Sequence, residues 1–167
     1  MIVVSDTSPL NYLVLIGQAD VLPSLFVRVV VPPAVLAEML HAGAPRVVTK
    51  WASSPRSWLE IISPKSIDHG LSLGLREAEA IYLAQELKAD GLLLDERKAL
   101  LVARRLGLAV TGTLGVPSLA AEKDSLALPA AIAALRVTNF RGPANLIEQL
   151  LQDDEKRRAG GTARRDA

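Results

Sequence analysis

Four acidic residues stand where carboxylates could do chemistry together: Asp6, Glu38, Glu77 and Asp95. Asp6 follows the apolar run Ile2-Val3-Val4, at the point where a strand gives way to a helix. Asp95 repeats the arrangement after Leu92-Leu93-Leu94. In an open α/β sheet such positions lie at the carboxyl ends of strands, where ligands bind. Glu38 shares a helical stretch with Ala34, Val35, Leu36, Ala37, Met39 and Leu40. Glu77 continues the apolar face of Ala80, Ile81 and Ala84 toward the start of its helix. Glu79 lies about 200° further round, on the flank of Tyr82 and Glu86. Glu77 is therefore the better inward carboxylate, with Glu79 as the alternative. Asp95 is preferred over Glu96, which has the position of a helix cap before Arg97.

Each acid taken alone has an ordinary explanation: a cap, a solvent-facing position, or a first-turn charge favoured by the helix dipole. Four converging carboxylates would repel one another, which raises their pKa values or recruits cations. Divalent metals resolve that repulsion. They activate water and stabilise the oxygens of an in-line phosphoryl displacement.

The elements that must position these acids alternate strand and helix, which argues for a parallel sheet with helices on both faces. Strands are expected at Ile2–Val4, Val27–Val31, Trp58–Ile62 (an edge strand), Leu92–Leu94 and Leu108–Thr111. Helices are expected at Leu10–Ile16, Asp20–Leu25, Pro33–Leu40, around Val47–Trp51, at Leu75–Lys88 and at Arg97–Leu106. Three more are expected at Val116–Lys123, Ala130–Arg136 and Ala144–Leu151. Residues 1–151 read as a single domain. From Gln152 the composition becomes charged and glycine-containing, and residues 152–167 read as a disordered tail. Its arginines 157, 158, 164 and 165 are better explained by solvation than by nucleic-acid contact.

Composition narrows the chemistry. Half of the 167 residues are hydrophobic and only 4% aromatic, so the core is aliphatic. A formal charge of +1 provides no global field for a polyanion, so nucleic acid would need a local basic patch or metal ions. There is no cysteine, and His41 and His69 alone cannot build a zinc site. A metal would be a hard, oxygen-bound ion such as Mg²⁺ or Mn²⁺. No signal peptide or membrane-spanning run is evident, and a cytoplasmic protein without membrane partners is expected.

Five blocks in order carry a family resemblance: Val4-Ser5-Asp6-Thr7-Ser8-Pro9-Leu10; Pro32-Pro33-Ala34-Val35 with Glu38; Arg76-Glu77-Ala78-Glu79-Ala80-Ile81; Leu92-Leu93-Leu94-Asp95-Glu96-Arg97-Lys98; and Val110-Thr111-Gly112-Thr113-Leu114-Gly115. The sequence resembles the PIN-domain superfamily, in a prokaryotic branch near the VapC-type toxins. The resemblance spans Ile2 to Leu151. It implies a three-layer α/β/α fold and metal-dependent cleavage of RNA phosphodiesters. Carried over by position, Asp6, Glu38, Glu77 and Asp95 would hold Mg²⁺ or Mn²⁺, with one or two ions. Family members commonly have aspartate where this chain has Glu77. Thr7, Ser8 and Thr113 would place hydroxyls near the pocket. The resemblance further implies a homodimer and, in toxin members, inhibition by a small antitoxin.

Arg97 and Lys98, with Arg104 and Arg105 two helical turns on, line one flank of the helix beside Asp95; the first pair could meet phosphates, while a solvated face is the better explanation of the distal pair. The expected function is a metal-dependent endoribonuclease. The alternative is a catalytically weak RNA- or partner-binding module on the same fold. Other phosphate chemistries fit less well. A haloacid-dehalogenase-like phosphatase needs a second aspartate where Ser8 stands. A receiver domain needs an acidic pair and phosphoacceptor pattern that are absent. A dinucleotide site needs a glycine fingerprint after the first strand.

Overall fold

A computed structural model describes residues 1–68, 70 and 72–162, and only the backbone of 161 and 162. His69 and the arginines at 164 and 165 lie outside the described residues. The chain forms two compact units, Met1–Thr113 and Leu114 onward, where the sequence reads as one domain over 1–151.

The first unit is built on five parallel strands: β1 (Ile2–Ser5), β2 (Arg28–Val31), β3 (Leu59–Ile61), β4 (Gly91–Leu93) and β5 (Val110–Thr111). Their order is β3-β2-β1-β4-β5, so β3 is an edge strand as its sequence suggests. The connecting helices are α1 (Thr7–Leu15), α2 (Leu22–Leu25), α3 (Pro33–Met39), α4 (Arg46–Ala52), α5 (Leu75–Glu86) and α6 (Arg97–Arg105). Successive strands run outward from β1 in one direction, then return to β4 and β5 on its other side. Right-handed crossovers therefore put α1 to α4 on one face and α5 and α6 on the other. The packing agrees: α1, α3 and α4 contact one another, and α5 contacts α6.

Both faces being covered explains why β1, β2 and β4 are continuous apolar runs. Val4, Val30, Leu92 and Leu94 meet Ala80, Ile81, Ala84, Ala99 and Ala103 in one fully buried cluster. The alternate residues Val3, Val29, Val31 and Leu93 point to the opposite face. The alanines let α5 and α6 sit close to the sheet and to each other. Gly17 (φ +68) and Gly107 (φ +79) end α1 and α6 in the left-handed conformation, which glycine adopts without penalty.

Among the boundaries that differ from the sequence reading, two have a clear local cause. α1 begins at Thr7, three residues before Leu10, because a proline at position 9 falls in the first turn, where its missing N–H costs no intrahelical bond. In the second unit, α7 (Gly115–Glu122), α8 (Leu128–Val137) and α9 (Ala144–Thr162) pack together around Leu128, Ile132, Leu135 and Ile147. α9 continues through residues 152–162, which the composition assigns to a disordered tail. The reason is local pairing: Asp154 is buried and accepts Arg157 at 2.7 Å and Arg158 at 2.9 Å, one turn on. Arg157 also reaches Asp124 at 3.2 Å.

Candidate active site

The strand order places the site. β1 is the first strand, with β2 on one side and β4 on the other, so the chain reverses direction across the sheet between β1 and β4. Such a switch point opens a crevice at the carboxyl ends of the strands. Ser5 is paired with Leu93, and the Asp6 amide donates to the Leu93 carbonyl at 2.9 Å. Asp6 and Asp95 thus emerge from adjacent strand ends.

Asp6 occupies the N-cap position of α1, yet its side chain makes no capping hydrogen bond. It is 2% exposed, and its Oδ1 has no hydrogen-bond partner. Burial pushes its carboxyl up to about 6 from an ordinary 3.8. The Thr7 amide pulls it down, Glu77 pushes it up, Arg76 lowers it and Glu38 raises it. Those neighbours define the site: charges from α3 and from the start of α5 act on the end of β1.

Glu77 is the third residue of α5 and is 5% exposed. Its side chain folds back over Gly74, where an added Cβ would lie 2.3 Å from Glu77 Oε2. Glycine there makes room for the carboxylate. Glu38 comes from the last turn of α3, as the sixth of its seven residues. Arg76 ties the two glutamates together: its Nη1 donates to Glu38 Oε1, and its Nη2 donates to Glu77 Oε1 at 3.0 Å. The other oxygens, Glu38 Oε2 and Glu77 Oε2, are buried without partners.

Glu79 does different work. Its Oε2 accepts the Ala34 amide at 3.0 Å, which satisfies an N–H in the first turn of α3. It fastens α5 to α3 and so helps set where Glu38 stands. Glu96 is the N-cap of α6, accepting the Lys98 amide at 3.0 Å and the Ala99 amide at 2.7 Å. These two hydrogen bonds hold its carboxyl below the ordinary range.

Asp95 is partly buried. It accepts both the backbone amide (2.7 Å) and the hydroxyl of Thr113, a residue with no exposure. An added Cβ on Gly112 would lie 2.8 Å from Asp95 Oδ1, so glycine at that position permits the close approach. The hydroxyl of Thr7 is buried without a partner. Thr7 and Ser8 line a cleft of about 720 Å³ together with Asn11, Tyr12, Glu38, His41 and Arg76. On α6, Arg97 and Lys98 are exposed, and the Lys98 ammonium donates to the Ser72 carbonyl at 2.6 Å. Arg104 and Arg105 are exposed as well.

The structure thus brings Asp6, Glu38 and Glu77 into one electrostatic group and sets Asp95 on the neighbouring strand end. Among the described residues, no three carboxylates or histidines are placed to hold a metal ion as they stand. The donor set nevertheless suits a hard divalent cation: all oxygen, with an unsatisfied buried oxygen on each of three acids. Arg76 is the member that sequence reasoning did not single out. A cation in the first turn of a helix opposes the helix dipole, and that is the signal that could have marked it.

This sheet order, with acids gathered at the carboxyl ends of its central strands, defines a PIN-like α/β/α protein. The profile of one PIN-domain family, DUF3368, matches residues 2–156, and the chain belongs to that family. PIN domains are commonly nuclease folds that use divalent cations. No curated protein matches the chain. Among solved structures, it is similar to a PilT N-terminus domain protein from the archaeon Sulfolobus solfataricus P2, at 16% identity and a TM-score of 0.47, over 86% of this chain and 100% of that one. No helix among the described residues is long and apolar enough to cross a membrane.

Proposed function

We propose that the protein is a metal-dependent endoribonuclease that hydrolyses RNA phosphodiesters with Mg²⁺ or Mn²⁺. The observation that carries this reading is the set of unpartnered buried oxygens on Asp6, Glu38 and Glu77. Buried carboxylates without donors are costly, and a cation that binds them removes the cost. Asp6, Glu38, Glu77 and Asp95 would hold the metal. A bound divalent cation supplies a Lewis acid for a phosphoryl oxygen and lowers the pKa of attacking water. Thr113 fixes Asp95 through its amide and hydroxyl, and Glu79 steadies α3 beneath Glu38. The cleft beside Thr7 and Ser8 supplies room for the substrate chain, and the exposed cations of α6 supply phosphate contacts.

The test is cleavage of end-labelled single-stranded RNA by purified protein in Mn²⁺ or Mg²⁺. The wild type should cut, and an Asp6→Asn, Asp95→Asn double variant should lose activity about 100-fold or more. Equal cleavage by both proteins would refute the assignment.

A second reading is a binding module without catalysis. It takes support from Arg76, whose ion pairs already neutralise part of the acidic group. Calorimetric titration with Mn²⁺ separates the two: a module of that kind shows no carboxylate-dependent binding. A toxin role with a small antitoxin, and a homodimer, rest on the family likeness. An adjacent short reading frame encoding a DNA-binding protein, and a dimeric mass in solution, are the checks.

A further inference from the structure

We infer that Arg76 is an exchangeable counter-ion: its guanidinium holds the place of the divalent cation among Asp6, Glu38 and Glu77, and metal binding displaces it. The inference rests on the metal site proposed above and adds a residue that competes for it.

The placement of Arg76 is not explained by its helix. It is the second residue of α5, where the helix dipole disfavours a positive charge. Its partners explain it. One guanidinium spans two carboxylates from different elements, Glu38 on α3 and Glu77 on α5. The arrangement leaves a deficit, since a single positive charge faces three acids. One oxygen each on Asp6, Glu38 and Glu77 stays buried and unpartnered, and Asp6 and Glu77 are themselves more than nine-tenths buried. A guanidinium donates only along its own plane and cannot satisfy those remaining lone pairs. A divalent ion carries twice the charge and is coordinated by about six oxygens arrayed around it.

Exchange also has a route. The Arg76 side chain is 36% exposed and borders the cleft lined by Thr7, Ser8 and Glu38. The cleft offers open space beside its long, rotatable side chain. While it bridges the two glutamates, it holds them at the spacing of its own nitrogens. With that bridge in place, no three acids among the described residues are grouped for a metal.

The experiment is isothermal titration of Mn²⁺ into metal-free wild type, Arg76→Gln and Arg76→Lys, each also carrying Asp6→Asn as a control. Metal binding to the wild type must first break the two ion pairs of Arg76, and glutamine has none to break, so Mn²⁺ should bind Arg76→Gln about tenfold or more tightly. Arg76→Lys keeps the charge and should stay near the wild type. Arg76→Gln should melt lower without metal and recover with saturating Mn²⁺, while Asp6→Asn should abolish binding in every background. Equal or weaker Mn²⁺ affinity in Arg76→Gln, with binding still lost on Asp6→Asn, would overturn the exchange and leave the metal site standing. No Mn²⁺ binding in any protein would overturn both. Should Arg76→Gln fail to fold even with Mn²⁺, a wild-type crystal soaked in Mn²⁺ decides: metal among the acids with Arg76 turned out supports the exchange, and metal bound while Arg76 still pairs with Glu38 and Glu77 overturns it.

Discussion

Replacing Asp6 by asparagine should stabilise the metal-free protein. The carboxyl titrates at about 6 when folded, against an ordinary 3.8, chiefly because it is buried. The folded state therefore holds the proton more tightly than the unfolded chain. The stability this group contributes is fully present below pH 3.8 and is lost as pH rises through about 6. Holding that carboxyl ionised at neutral pH therefore costs about 3 kcal/mol. Asparagine removes that charge. Burying the amide in its place costs about 1 kcal/mol. The net expectation is a gain of about 2 kcal/mol at pH 7.5. Urea denaturation of both proteins in EDTA, at pH 7.5 and pH 4.5, measures it. The gap should be large at the higher pH and shrink at the lower one, where the wild-type carboxyl is mostly protonated. A gap that is absent, reversed or independent of pH would refute the reasoning.

Glu79→Ala removes the acceptor for the Ala34 amide and should cost about 1 kcal/mol in urea denaturation, with a smaller effect on Mn²⁺ binding than Glu77→Gln. Glu96→Ala should lower the melting temperature by about 2–4 °C through loss of the α6 cap, while RNA cleavage stays near the wild-type rate. Gly112→Ala puts a methyl 2.8 Å from Asp95 Oδ1 and must push that carboxylate off Thr113. The cost should be about 1–3 kcal/mol, read by thermal unfolding, and RNA cleavage should fall with it.

Much of this was legible in the residues. Val3, Val4 and the run from Val29 to Val31 are apolar without alternation, which is what strands covered on both faces require. The helical period around Ala80, Ile81 and Ala84 separated Glu77 from Glu79, and the structure finds one buried and the other bonded to α3. Asp95 and Glu96 separated likewise, because a residue preceding a helix caps it while the residue before that ends the strand. What stayed hidden depended on partners remote in sequence. Arg76 beside Glu77 reads as surface charge until Glu38, from another helix, is brought against it. The start of α1 was obscured by Pro9, since a proline breaks a helix interior but not its first turn. The helix through residues 152–162 was obscured by composition, because charge and glycine speak for disorder and the pairing of Asp154 with Arg157 and Arg158 speaks against it.

The central claim is that Asp6, Glu38, Glu77 and Asp95 hold a divalent cation. Anomalous scattering from a crystal soaked in Mn²⁺ tests it most directly. The account predicts a peak within coordination distance of Asp6 and at least two of the other acids, with the Arg76 guanidinium turned out toward the cleft. A crystal saturated with Mn²⁺ that shows no such peak, and Arg76 still paired with Glu38 and Glu77, would contradict it.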